Sequence, residues 1–234
     1  MLKDIFSFIL SLIYPNKCVL CNNVIIKYKE YLCENCSKDL KINTEIRVLD
    51  GTSNLNGKTI KCISPFEYVG NIKSSIWRFK FRGYKNYSKF FAKIIAEELE
   101  SNFKDVKFDC ISFVPLRKDR RRDRGYNQAE CLAIDLSSRL GVSSKDLLVK
   151  VKKTKIQHEL SLVYRRENVK GAFAIKPSVK TDVENKVILL CDDIITSGST
   201  LYECAKALIK SGAKSVYCCT VAYIPKLSFL NKRQ

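Results

Sequence analysis

From residue 59 onward the chain alternates between two hydrophobic periods. The runs at 108–114 (FDCISFV), 147–151, 187–191 (VILLC) and 214–223 (KSVYCCTVAY) are short, continuous and partly β-branched, so they read as strands buried on both faces. Thr59–Val69 is strand-like as well. Between these runs apolar residues recur at helical spacing near 86–102, over 127–140 and over 199–210, where Leu201, Cys204, Ala205, Leu208 and Ile209 share one face. Strand and helix in alternation predict an α/β domain with a mostly parallel sheet and flanking helices on both faces. No internal repeat or low-complexity tract interrupts it.

The pattern is different before residue 59. Residues 44–58 (TEIRVLDGTSNLNGK) have the Gly, Asn and Ser content of a linker, which divides the chain into 1–43, a linker 44–58 and a main domain 59–234. The opening MLKDIFSFILSLIYP is apolar, yet it is about half the ~20 residues a spanning helix needs and carries Lys3 and Asp4. It reads as a helix packed on the body of the protein, with an interfacial anchor as the alternative.

Composition narrows the partners. A chain of 234 residues with 46% hydrophobic and 28% charged residues supports one good core and a small appendage, which excludes disorder as the default. Lys+Arg 42 against Asp+Glu 24 leaves +18, which calls for an anionic partner: nucleic acid, a phosphorylated metabolite or a membrane surface. Eleven cysteines with no signal peptide point to a reducing, cytoplasmic setting. Cys62, Cys110, Cys131, Cys191, Cys204, Cys218 and Cys219 lie mostly in apolar runs and read as core. Cys18-Val-Leu-Cys21 and Cys33-Glu-Asn-Cys36 do not. Two CxxC knuckles across eleven residues offer four thiolates to one structural Zn²⁺, although that spacer is shorter than the ~15–20 residues usual in ribbons.

The candidate chemistry sits after the 187–191 strand. Thr196-Ser197-Gly198-Ser199-Thr200 offers consecutive amides, a glycine and four hydroxyls at a helix start, a cradle for a monophosphate. It lacks the lysine and spacing of a P-loop. Asp192 and Asp193 stand just before it. Carboxylates beside bound phosphate repel it unless they meet hydroxyls or a metal, and a ribose 5-phosphate resolves this with its phosphate in the cradle and its 2- and 3-hydroxyls on the carboxylates. Either half alone is also what a strand end and a helix cap look like.

Two basic regions point toward nucleic acid. Residues 77–91 (WRFKFRGYKNYSKFF), which open on Trp77, interleave Arg78, Lys80, Arg82, Lys85 and Lys89 with Phe79, Phe81, Tyr84, Tyr87, Phe90 and Phe91, a pattern suited to unpaired bases on a phosphate backbone. Phe79, Phe90 and Phe91 read better as core. Lys150, Lys152, Lys153 and Lys155, with Arg165 and Arg166, form a second group that the fold could bring beside the arginine-rich stretch 117–124. His158 reads as an exposed loop residue.

Val187–Thr200 resembles the ribose-phosphate loop of type I phosphoribosyltransferases, with Ser197 in place of the usual second threonine. The stretch FVPLRKDRRRDRGYNQAECLA, with Val114, Pro115, Arg124, Gly125, Tyr126, Asn127, Gln128 and Ala129, is similar to the signature of the ComF family of competence-associated proteins. Lys80-Phe81-x-Gly83, the 152–173 segment and the paired CxxC motifs are also ComF-like, so the resemblance covers nearly the whole chain. It implies a type I phosphoribosyltransferase-like fold plus a small N-terminal zinc-binding domain. It further implies phosphoribosyl pyrophosphate with Mg²⁺ at Asp192, Asp193, Thr196, Ser197, Gly198, Ser199 and Thr200, with Pro115, Leu116 and Arg117 in the pyrophosphate loop. Asp192 and Asp193 would be the catalytic pair. Pyrophosphate or DNA would meet Lys80, Arg82, Arg120, Arg121, Arg122, Arg124, Lys152 and Lys153. The expected role is handling of incoming single-stranded DNA in transformation, in the cytoplasm or at the inner membrane face, beside other DNA-uptake proteins. The alternative is a transferase passing phosphoribosyl to a nucleobase or related acceptor.

Overall fold

In a computed structural model of the protein, residues 15–25, 31–49, 55, 57–152 and 167–225 are described. The apolar opening 1–14 and Lys153, Lys155, His158, Arg165 and Arg166 lie outside them. In chain order the elements are α1 (Glu34–Lys38), β1 (Arg47–Leu49), β2 (Ile60–Ile63), β3 (Phe66–Glu67), α2 (Gly70–Phe81), α3 (Tyr87–Asn102), β4 (Cys110–Phe113), α4 (Lys118–Arg124), α5 (Gln128–Leu140), β5 (Leu148–Lys150), β6 (Phe173–Ile175), β7 (Val187–Ile195), α6 (Ser199–Lys210) and β8 (Ser215–Tyr223). One sheet runs β1-β2-β8-β7-β4, with β3 also on β8, and every pairing in it except β1–β2 is parallel.

Side chains alternate across this sheet, so its two faces build two cores. Ile111, Phe113, Leu189, Cys191 and Val221 pack under α3 and α5, whereas Cys110, Ile188, Leu190, Val216 and Cys218 pack under α6. Helix α5 is bounded by Asn127, whose side chain accepts from the Ala129 amide at 3.1 Å, and by Gly141 in the left-handed conformation. Its buried Leu132 and Leu136 contribute about 1.5–3 kcal/mol each by leaving water. Of the seven cysteines read as core, six are buried and Cys131 is partly buried.

Four stretches depart from the sequence expectation. The central strand does not stop at Cys191: it continues through both aspartates to Ile195, because β8 supplies partners there (Asp192 opposite Thr220, Ile194 opposite Ala222). Residues 47–49, inside the stretch read as linker, pair with β2 and add an antiparallel edge strand. The 147–151 run joins β6 in a separate antiparallel ladder beside α6 rather than the main sheet. The basic stretch expected as an open pyrophosphate loop is helical over 118–124, since five of its seven residues are Lys or Arg, Asp119 stands in the first turn and no glycine interrupts before Gly125.

The 77–91 segment is a helix end, a turn at Gly83 with φ 75° and a new helix, and its Phe79, Phe90 and Phe91 are buried as expected. Among the described residues no helix is long and apolar enough to cross a membrane.

Candidate functional site

Strand β4 ends opposite Cys191, so the last four residues of β7 have β8 on one side and, among the described residues, no strand on the other. The chain leaves β4 there, held by a 2.9 Å bond from the Val114 amide to the Cys191 carbonyl, and continues through Pro115, Leu116 and Arg117. A crevice outside the C-terminal edge of a parallel sheet is where such folds bind ligands. Asp192 and Asp193 lie at the C-terminal end of β7 and Thr196–Thr200 follow it, while Pro115–Arg117 follow the C-terminal end of the neighbouring parallel strand β4, so the topology places all of them at this edge.

Gly198 makes the turn from β7 into α6. Its φ is 74°, and a Cβ there would stand 3.0 Å from Leu49 Cδ2, so β1 closes over the turn. As the N-cap it has no side chain to satisfy the first-turn amides of this twelve-residue helix. Ser197 Oγ and Ser199 Oγ are 2.8 Å apart beside it. Amides and hydroxyls converging at a helix start can hold a phosphate.

Consecutive strand residues project to opposite faces, so the two carboxylates have different surroundings. Asp193 faces the α2 side, where Lys80 Nζ meets Oδ1 at 2.9 Å, both side chains being 16% exposed. Tyr68 lies within reach of the same charge: burial first, then Asp193, raises its phenol above the ordinary range. Asp192 faces the α6 side. Burial, then the Asp193 charge, pushes its pKa up to about 7, against the Asp193 amide donating to Oδ1 at 2.8 Å and the positive charges of Lys80 and Arg124. Burial, then the Arg117 charge, lowers the pKa of Lys150, which Asp192 partly counters, so β5 adds a cation that sequence reasoning had ranked only as nucleic-acid surface.

The arginine-rich stretch is divided by partner. Arg117 grips Asp119 at 2.9 and 2.5 Å, and Arg121 meets Glu130 at 3.0 Å. Arg124 Nη1 donates to Gln128 Oε1 at 3.0 Å. Much of the RGYNQA stretch is thereby structural: Gly125 turns with φ 74°, the Tyr126 hydroxyl donates to the Phe79 carbonyl, and Asn127 Nδ2 donates to the Val114 carbonyl at 3.0 Å. Lys80, expected on a pyrophosphate or DNA face, is turned inward to Asp193. Arg82 is exposed against Trp77. Lys152 donates to the Lys170 carbonyl at 3.3 Å and lines a cavity of about 550 Å³ with Glu203 and Lys206, a lining that includes none of the crevice residues.

A second centre lies at the N-terminal knuckles. The Sγ atoms of Cys18, Cys21, Cys33 and Cys36 all lie within 4.8 Å of one another, with Cys21 and Cys33 at 3.6 Å. A tetrahedral Zn²⁺ with Zn–S near 2.3 Å requires sulfur pairs about 3.8 Å apart, which this cluster fits. Four thiolates leave no open position, so the ion is structural. Sequence reasoning missed what docks this module: Arg78 Nη2 donates to the Val19 and Leu20 carbonyls at 3.0 and 2.6 Å, and the Tyr87 hydroxyl donates to Asn22 Oδ1 at 3.3 Å. No local pattern marks such long-range partners.

Two family models match the chain. The Phosphoribosyl transferase domain family matches residues 88–228, and the Double zinc ribbon domain family matches residues 9–47. Competence protein F of Haemophilus influenzae is 30% identical over 86% of this chain and 93% of its own length. Competence protein ComFC of Streptococcus pneumoniae is 32% identical over 90% of both chains. DNA utilization protein YhgH of Escherichia coli K12 is 34% identical over 46% of each. Among solved structures, an adenine phosphoribosyltransferase aligns over 81% of this chain and 91% of its own at 17% identity and TM-score 0.40.

Proposed function

The chain belongs to the ComF family of phosphoribosyltransferase-domain proteins, and from that premise we propose that it serves DNA uptake and utilisation, binding phosphoribosyl pyrophosphate in the crevice and handling incoming single-stranded DNA. The observation that carries the reading is the carboxylate pair at the lip of the phosphate cradle, with Lys80 holding Asp193 in place. A surface made only for phosphodiesters gains nothing from two carboxylates. A ribose 5-phosphate uses both features, its phosphate on the first turn of α6 and its hydroxyls against Asp192 and Asp193. Pyrophosphate then falls to Pro115–Arg117 and the arginines of α4, whose planar forks match its oxygens. Asp192 and Asp193 offer the oxygen donors that Mg²⁺ prefers and would hold it beside the ligand, where it would supply charge compensation for pyrophosphate. The relatives named for competence and DNA utilisation support the cellular role, and eleven free thiols support a cytoplasmic setting beside other DNA-uptake proteins, with a membrane surface admitted but not required.

A second reading is turnover. The C1–oxygen bond to pyrophosphate breaks, a C1–nitrogen bond to an acceptor base forms, and the base loses its proton, with no protein nucleophile needed. The intact cradle and carboxylates favour it. Phosphorus NMR of phosphoribosyl pyrophosphate with Mg²⁺, the protein and a pool of nucleobases separates the two. Base-dependent release of pyrophosphate makes the protein a transferase; shifted signals without release make the crevice a binding site. Unchanged signals, or equal shifts with the Asp192→Asn Asp193→Asn protein, overturn the site.

A further inference from the structure

Helix α2 divides its aromatic residues between core and solvent. Phe79 is fully buried with Ile76, whereas Trp77 and Phe81, four residues apart, are 45% and 50% exposed. Their ring centroids lie 6.0 Å apart at an interplanar angle of 49°. A guanidinium stands over each ring: Arg82 Cζ is 5.0 Å from the Trp77 centroid and Arg124 Cζ is 4.9 Å from that of Phe81. Arg124 comes from the far end of α4, and its buried Nε has no hydrogen-bond partner among the described residues. Lys80, on the same side of α2 as the two rings, reaches Asp193 at 2.9 Å, so the aromatic pair borders the carboxylate end of the crevice.

We propose that Trp77 and Phe81, framed by Arg82 and Arg124, are a stacking platform for the unpaired bases of single-stranded nucleic acid. The proposal rests on the DNA-handling reading above. Unpaired bases expose π faces that a duplex keeps stacked on one another, and aromatic rings interleaved with cations accept such faces without regard to sequence. Charge complementarity fits the same occupant: among the described residues Arg120 and Arg122 on α4 form no ion pair, and the chain carries +18. Arg82, exposed over the Trp77 ring, can keep that contact while its guanidinium meets phosphate oxygens.

Trp77 is the only tryptophan in the chain, so its emission reports the platform without background from another indole. Full-length protein is titrated with a single strand of about 15 nucleotides, an abasic deoxyribose-phosphate strand of equal length, and the matching blunt duplex. The expected result is saturable quenching by the base-bearing single strand and weak or no quenching by the other two. In anisotropy with a labelled strand, Trp77→Leu and Phe81→Leu each weaken binding about tenfold, Trp77→Phe retains it, and affinity for the abasic strand does not change. Equal quenching by the abasic strand, or a Trp77→Leu Phe81→Leu protein that binds as wild type does, overturns the proposal. So does a dimer in sedimentation that this double variant converts to monomer, which assigns the patch to a second copy of the chain. The phosphorus NMR experiment reads the carboxylate site without the Trp77 signal, so failure there and failure here are separate results.

Discussion

Replacing Asp192 by Asn tests the electrostatics of the crevice, with an outcome opposite to the usual expectation for a site residue. Burial and Asp193 raise the Asp192 pKa from 3.8 to about 7, so the folded protein holds a proton that the unfolded chain has released. The associated stability is fully present below about pH 4 and is lost as pH rises toward 7. At 1.36 kcal/mol per unit the ceiling is about 4 kcal/mol. Asp192 is only partly buried, and screening by water roughly halves this, leaving about 2 kcal/mol. Asn is isosteric, keeps the acceptor for the Asp193 amide and never ionises. The Asn protein is therefore expected to be more stable than wild type by about 2 kcal/mol at pH 8 and by less than 1 kcal/mol at pH 5. Urea unfolding at the two pH values, compared at equal m, measures the difference. Ligand binding should move the other way, because the ionised carboxylate is the better acceptor for ribose hydroxyls: affinity for phosphoribosyl pyrophosphate rises through pH 7 in wild type and stays low in the variant. A gap that is the same at both pH values, or a variant less stable than wild type at pH 8, refutes the reasoning.

Gly198→Ala forces a left-handed N-cap and sets a methyl group 3.0 Å from Leu49 Cδ2. A loss of about 1–2 kcal/mol in urea, together with loss of the phosphorus NMR shift, is expected; unchanged stability would mean the turn relaxes freely. Cys33→Ser with Cys36→Ser should abolish zinc measured by atomic absorption. It should also lower the midpoint of unfolding, since Cys18, Val19 and Leu20 belong to the same core as α3 and α5; zinc retained at full occupancy would refute the four-thiolate site.

Much of the fold was legible because local periodicity reports directly on burial. Helix 199–210 has the bounds its apolar face implied, and the 214–223 strand is one residue shorter than read. The cysteine knuckles were legible because a metal site needs its ligands at close spacing along the chain. What failed depended on partners distant in sequence. The aspartates read as a strand end because carboxylates are poor strand formers, but β8 extends the ladder past them. Lys80 read as an exposed cation because the chain around it is basic, and only folding turns it to Asp193.

The division between the two kinds of information is therefore physical. Residue type and spacing by themselves determined the alternating α/β order, the hydroxyl-rich turn into the helix at Thr196–Thr200 and the four-cysteine cluster, because each depends on interactions within about a turn or a strand. Tertiary structure alone decided which face each carboxylate occupies and how far Asp192 is shielded. It also decided that Arg78 would dock the zinc module and that Trp77 and Phe81 would remain in solvent while Phe79 went into the core. Those outcomes depend on desolvation and on contacts between distant segments, and neither quantity exists until the chain has folded.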